Sequence, residues 1–90
     1  MDVTLDGRTI DSRETLHQTL FELLQLPAWY GRNLDALYDC LTDLQEPVTL
    51  RVIYARQMRE ALGGYASSLG HVLHDSAQEN ENLTVCWEEE

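Results

Sequence analysis

Asp35, Asp39 and Asp43 recur at every fourth residue, a spacing that stacks three carboxylates along one side of a helix, beside Tyr38 and Thr42. Two such acids could divide the roles of proton donor and proton acceptor in catalysis. The rest of a catalytic set is missing. There is no phosphate-cradling glycine-rich motif, no cysteine with an evident activating histidine and no serine in a nucleophile elbow. The chain therefore reads as a non-enzyme. Each pair of like charges at i, i+4 disfavours an isolated helix by about 0.2–0.5 kcal/mol, and only Asp35 gains from the N-terminal dipole, so stability does not account for the row. A solvated acidic face explains Asp43 well. Around Asp35 and Asp39, Trp29, Tyr30 and Tyr38 add large amphipathic rings to the charge, a combination that suits a protein interface. Burial of Trp29 in the core is the alternative.

Metal chemistry has one local candidate, His71 with His74 three residues apart on a predicted helix, joined by Asp75. No second ligand pair has metal-site spacing, so these histidines, and His17 on the first helix, read as surface residues. Neither metal nor cofactor is expected. Asp75 and Glu79, again four apart, flank the apolar stripe of their helix and form a second acidic edge. If the two acidic helices pack side by side, their acids border one concave patch with the loop 29–32 as its rim. Cys40 and Cys86 read as free, buried thiols, too few to staple a small secreted fold.

These residues need elements to position them. Val3 and Leu5 alternate as a strand that ends at the turn Asp6-Gly7. Asp11, three residues before Glu14, has capping-box spacing, and Leu16, Leu20, Leu23 and Leu24 make an amphipathic helix over 13–25 that Pro27 ends. Asn33 is a natural N-cap for a second helix with the stripe Leu34, Leu37, Leu41 and Leu44, closed by Pro47. Val48–Ile53 is dense in β-branched residues and reads as a buried central strand. A helix over 54–62, a break at Gly63-Gly64, a second helix to about Gln78 and a last strand over Leu83–Trp87 complete the chain. Helical crossovers between consecutive strands join parallel neighbours. The predicted fold is α/β, a small three-stranded parallel sheet packed with four helices and covered on its faces.

Ninety residues, 43% hydrophobic and 24% charged, suit a single domain over 1–90, with Glu88–Glu90 as a solvated acidic tail. No stretch approaches the roughly 20 apolar residues of a membrane span, and the acidic opening does not resemble a secretory signal, so the expected location is the cytoplasm. Six arginines, no lysine and sixteen acids give a net charge of −10. A polyanion would be repelled, which excludes nucleic acid as a direct partner and favours a basic protein. The charge is clustered: residues 51–70 carry a net +2, whereas residues 71–90 carry −6.

The run Leu26-Pro27-Ala28-Trp29-Tyr30-Gly31-Arg32-Asn33-Leu34-Asp35-Ala36-Leu37-Tyr38-Asp39-Cys40-Leu41-Thr42 resembles the barstar family, intracellular inhibitors of barnase-like bacterial ribonucleases. Leu16-His17-Gln18-Thr19-Leu20 resembles the family's first helix, and a looser likeness extends through the last strand. The resemblance implies an α/β inhibitor, a monomer, whose second helix and preceding loop plug a ribonuclease active site. It places Asp39 as the central acid where the nuclease expects a substrate phosphate, with Asp35 beside it. Trp29, Gly31, Asn33, Leu34, Tyr38 and Thr42 fall at contact or contact-framing positions, and the fourth-helix acid falls on Asp75, with Glu79 one turn on. The family pattern commonly has tryptophan at the positions of Tyr38 and Leu44, tyrosine at Trp29 and glutamate at Asp75. The partner implied is a basic ribonuclease or related toxin, with an immunity protein or a barstar-like adaptor for another basic protein as the alternative.

Overall fold

Residues 1–90 are described by a computed structural model. Strands β1 (Asp2–Asp6), β2 (Val48–Ile53) and β3 (Leu83–Trp87) form a parallel sheet in the order β1-β2-β3. The register aligns Val3 with Leu50 and Val85, and Leu5 with Val52 and Trp87. Helices α1 (Arg13–Leu23) and α2 (Leu34–Thr42) cross from β1 to β2, and α3 (Ala55–Leu62) and α4 (Gly64–Glu79) cross from β2 to β3. The α/β class, the parallel order and the four helices are those the sequence predicts.

Coverage of the sheet differs. Sequential strands step in one direction, so two crossovers of the same right hand deliver all four helices to the same face. Leu5, Val48, Leu50, Val52 and Leu83 are buried in one core with Leu16, Leu37, Met58 and Leu69 from the four helices. The alternate residues Asp2, Thr4, Arg51, Thr84 and Cys86 are exposed on the other face, which no helix covers. Both-face coverage holds for doubly wound sheets, and this sheet is singly wound. The same alternation corrects the reading of the thiols: Cys40 is buried, but Cys86 lies on the outward row and is exposed.

Two helix boundaries shift for local reasons. The N-cap of α1 is Ser12, whose Oγ accepts from the Thr15 backbone N–H at 3.1 Å, while Asp11 Oδ1 accepts from the Thr15 hydroxyl at 2.8 Å. The cap thus stands one residue later than the Asp11–Glu14 spacing suggests. The helix ends at Leu23, ahead of Pro27, because Gln25 turns left-handed (φ 52°) and the Leu26 N–H returns to the Phe21 carbonyl at 3.1 Å, closing a Schellman turn.

The tail is not free in solution. The Glu88 N–H donates to the Val52 carbonyl at 2.8 Å, and the Glu88 carbonyl accepts from the Ala55 N–H at 3.0 Å. Glu88 pairs with Arg51, Glu89 with Arg59 and Glu90 with Arg56, so the tail lies over the cations of β2 and α3. Alternation and composition carry no information about such pairs, which depend on three segments converging.

Gly7, in the short 3-10 turn Gly7–Thr9, is where the first and second strand exits meet. A Cβ there would stand 2.1 Å from the Tyr54 carbonyl oxygen, and Tyr54 is itself left-handed at φ 51°. Neither is a flexible side-chain end that could give way. Gly7→Ala should lower stability by about 3 kcal/mol, read as a lower urea midpoint with an unchanged slope.

Candidate functional site

The buried residues of α2, Leu37, Cys40 and Leu41, fix its rotation. With that face inward, Asp35, Asp39 and Asp43 are exposed, and Tyr38 and Thr42 lie half-buried at the margins. Asn33 caps the helix by accepting from the Ala36 N–H at 2.8 Å, and its amide donates to the Gly31 carbonyl at 3.1 Å. At the other end Asn80, which follows α4, donates to the carbonyls of Leu41 and Leu44 at 3.1 and 3.0 Å. Both termini of the acidic helix are thus satisfied by asparagine side chains, as orphaned terminal groups require. Thr42 Oγ1 donates to the Tyr38 carbonyl at 2.9 Å and so faces back along its own helix.

None of the three α2 carboxylates has an arginine partner. The ion pairs use Asp6, Glu88, Glu89 and Glu90 instead. The helix therefore presents carboxylates that form no ion pair within the chain. Trp29 is 77% exposed, so the core alternative for it does not hold. It lines an open groove of about 540 Å³ with Pro27, Asp39, Thr42, Asp43 and Leu44.

The two acidic helices pack side by side, as the shared-patch expectation requires. Asp75 and Glu79 are exposed on α4, which packs against α2, but neither lines the Trp29 groove. Asn33, Leu34 and Asp35 open instead onto a separate cleft shared with α1 and Tyr65. Gly31 is exposed. His71 and His74 are exposed on α4, and no group of three or more His, Cys, Asp or Glu side chains is arranged to hold a metal ion.

Two residues have places the sequence reading did not give them. His17 is 2% exposed, not a surface histidine, and Tyr30 is buried rather than offered to a partner. Positions 17, 20 and 24 share a helical stripe, and that signal marks His17 as inward-facing. Its Nδ1 meets the Tyr30 hydroxyl at 2.6 Å and its Nε2 meets the Tyr65 hydroxyl at 2.7 Å. These bonds tie α1, the loop and α4 together, and they anchor the residue between Trp29 and Gly31. Burial, helped by the nearby Arg32 charge, holds the His17 pKa below its ordinary value. Burial pushes the Tyr30 hydroxyl and the Cys40 thiol upward, and Asp39 and Asp43 add to the effect on Cys40.

A family model described as Barstar (barnase inhibitor) matches residues 1–88. A Bacillus subtilis (strain 168) protein named "Putative ribonuclease inhibitor YrdF" is 38% identical over 78 residues, covering 86% of each chain. These similarities define a protein of the inhibitor class rather than an enzyme. The chain belongs to the barstar family. No helix is long and apolar enough to cross a membrane.

Because folded His17 resists protonation, the unfolded chain binds more protons between the ordinary histidine pKa near 6.5 and the depressed folded value. The contribution is fully present above pH 6.5 and is lost as pH falls through that window. Urea midpoints measured from pH 7.5 to 5 should decline in the native protein, and His17→Gln should flatten that decline.

Proposed function

We propose that this protein inhibits a basic, barnase-like bacterial ribonuclease in the cytoplasm by seating α2 and the loop before it in the nuclease active site. The carrying observation is the row of α2 carboxylates without an ion pair in their own chain, beside an indole that is 77% exposed. An active site built to hold phosphate is cationic, and an acidic helix is its electrostatic complement. Asp39 takes the central position, with Asp35 one turn away. Trp29 and Tyr38 supply apolar contact, and Gly31, Asn33, Leu34 and Thr42 frame the helix start and groove. Asp75 and Glu79 meet the partner from α4, beyond the edge of the groove. The inhibitor acts as a monomer, binds one nuclease, performs no chemistry and touches no nucleic acid.

Barnase and a panel of basic bacterial ribonucleases, titrated with the protein while RNA cleavage is followed, provide the test. Cleavage by at least one of them should vanish at one equivalent. Binding without loss of cleavage would instead make the protein an adaptor or an immunity protein for another basic target.

Central charges lose their water on docking and rim charges do not. Asp39→Ala should therefore weaken binding by about 2–5 kcal/mol, a range drawn from charge pairs in complexes that include barnase–barstar itself, whereas Asp43→Ala should cost less than about 1 kcal/mol. Calorimetric affinities of the two variants against the inhibited nuclease decide between a focused site and a diffuse acidic face. Steering by charge also makes association salt-dependent, since the Debye length is only about 8 Å at physiological ionic strength. Stopped-flow association rates should fall steeply as salt rises, with dissociation changing less.

A further inference from the structure

Four of the six arginines are engaged by carboxylates: Arg8 by Asp6, Arg51 by Glu88, Arg56 by Glu90 and Arg59 by Glu89. The other two, Arg13 and Arg32, line the same cleft of about 620 Å³ between α1 and the start of α2. Each is held in place without a counter-ion. The Arg13 guanidinium lies 4.2 Å from the centre of the Tyr65 ring, and that of Arg32 lies 4.9 Å from the centre of Phe21. Arg32 Nη1 also donates to Gln18 Oε1 at 2.5 Å, and its backbone sits in the left-handed region at φ 55°. Strain of this kind persists where the surroundings over-determine a conformation, commonly at binding sites.

A further donor reaches the cleft through the buried histidine. The Tyr30 hydroxyl is enclosed and has one partner, His17 Nδ1, so it must donate there or leave its proton unsatisfied. Nδ1 then accepts, the imidazole proton resides on Nε2, and Nε2 donates to the Tyr65 oxygen. Tyr65 has no other hydrogen-bond partner in the chain, and it borders the cleft. Its own O–H is thereby left without a partner in the chain, at a cleft that Arg13 also lines. Glu14 and Asp35 also line the cleft and balance the two arginines. The cleft therefore exerts no net long-range pull on any anion, and what it offers is geometric: a planar carboxylate can take an arginine fork and a hydroxyl donor.

We infer that this cleft is a carboxylate-binding site in which Arg32, Arg13 and the Tyr65 hydroxyl supply the donors. The carboxylate can be an acidic side chain of a docked protein, since Asp35 belongs to both the cleft and the α2 face, or a free small acid. Recognition of the group itself does not depend on the ribonuclease reading.

The test is an acetate titration of the ¹⁵N-labelled full chain, followed by NMR at the arginine side chains and the amides of residues 32–35, against chloride at matched ionic strength. Acetate should give saturable shifts with a millimolar Kd. Tyr65→Phe should weaken it about tenfold. Arg32→Gln, at an exposed position that leaves the core untouched, should weaken it at least as much. Arg51→Gln, outside the cleft, should change nothing. Shifts that chloride reproduces, or an Arg32→Gln protein that binds acetate like the native one, would overturn the assignment. Repeating the titration with barnase present separates the sources: loss of the acetate site points to a partner's acid, and retention points to a free one. If barnase fails to bind at all, the inhibitor reading suffers while the acetate result still decides the cleft.

Discussion

A neutral imidazole wedged between two tyrosine hydroxyls holds the functional half of this molecule together. His17 comes from α1, Tyr30 from the loop and Tyr65 from the first turns of α4, so one side chain fastens three segments that are 13 and 48 residues away in sequence. Hydrogen bonds in such a dry setting are costly to break, because each group left unpaired keeps its full desolvation penalty. The loop between α1 and α2 is also secured by a turn from Tyr30 N–H to the Pro27 carbonyl at 2.9 Å, the Asn33–Gly31 bond and the Arg32–Gln18 bond. Tyr30 is pinned inward while its neighbour Trp29 is exposed, and Arg32 lies over Phe21.

The second organising constraint is the division of charge. Cations in β2 and α3 are occupied by Glu88, Glu89 and Glu90, and Arg8 by Asp6. Exposed pairs of this kind add little stability singly. Their larger effect is to engage four of the six arginines, and no arginine forms an ion pair with Asp35, Asp39 or Asp43. The resulting repulsion along α2 is offset by its buried face and by the asparagines at its two ends.

The order and type of the elements were legible in the residues because each carries a local signal: alternation for β1, β-branched density for β2, a heptad-like stripe for α1 and α2, and the glycine pair between α3 and α4. The row of acids was legible for the same reason, since a period of four needs no tertiary knowledge. What the residues conceal depends on the direction in which segments meet. Singly wound topology left one sheet face bare and with it Cys86. The ends of α1 were decided by a serine hydroxyl and a left-handed glutamine rather than by the stronger-looking Asp11 and Pro27. The inward stripe of α1 includes His17, but the tyrosine hydroxyls that make its burial possible come from two other segments and carry no local signal.

The bare sheet face offers a practical asymmetry. Thiol chemistry requires access and a thiolate, and Cys40 is denied both by burial and by the adjacent acids, while Cys86 stands in the open on the side of the sheet away from the helices. A maleimide linker on Cys86 would tether the native sequence to a bead or electrode in a single orientation, leaving the helical layer facing the solution.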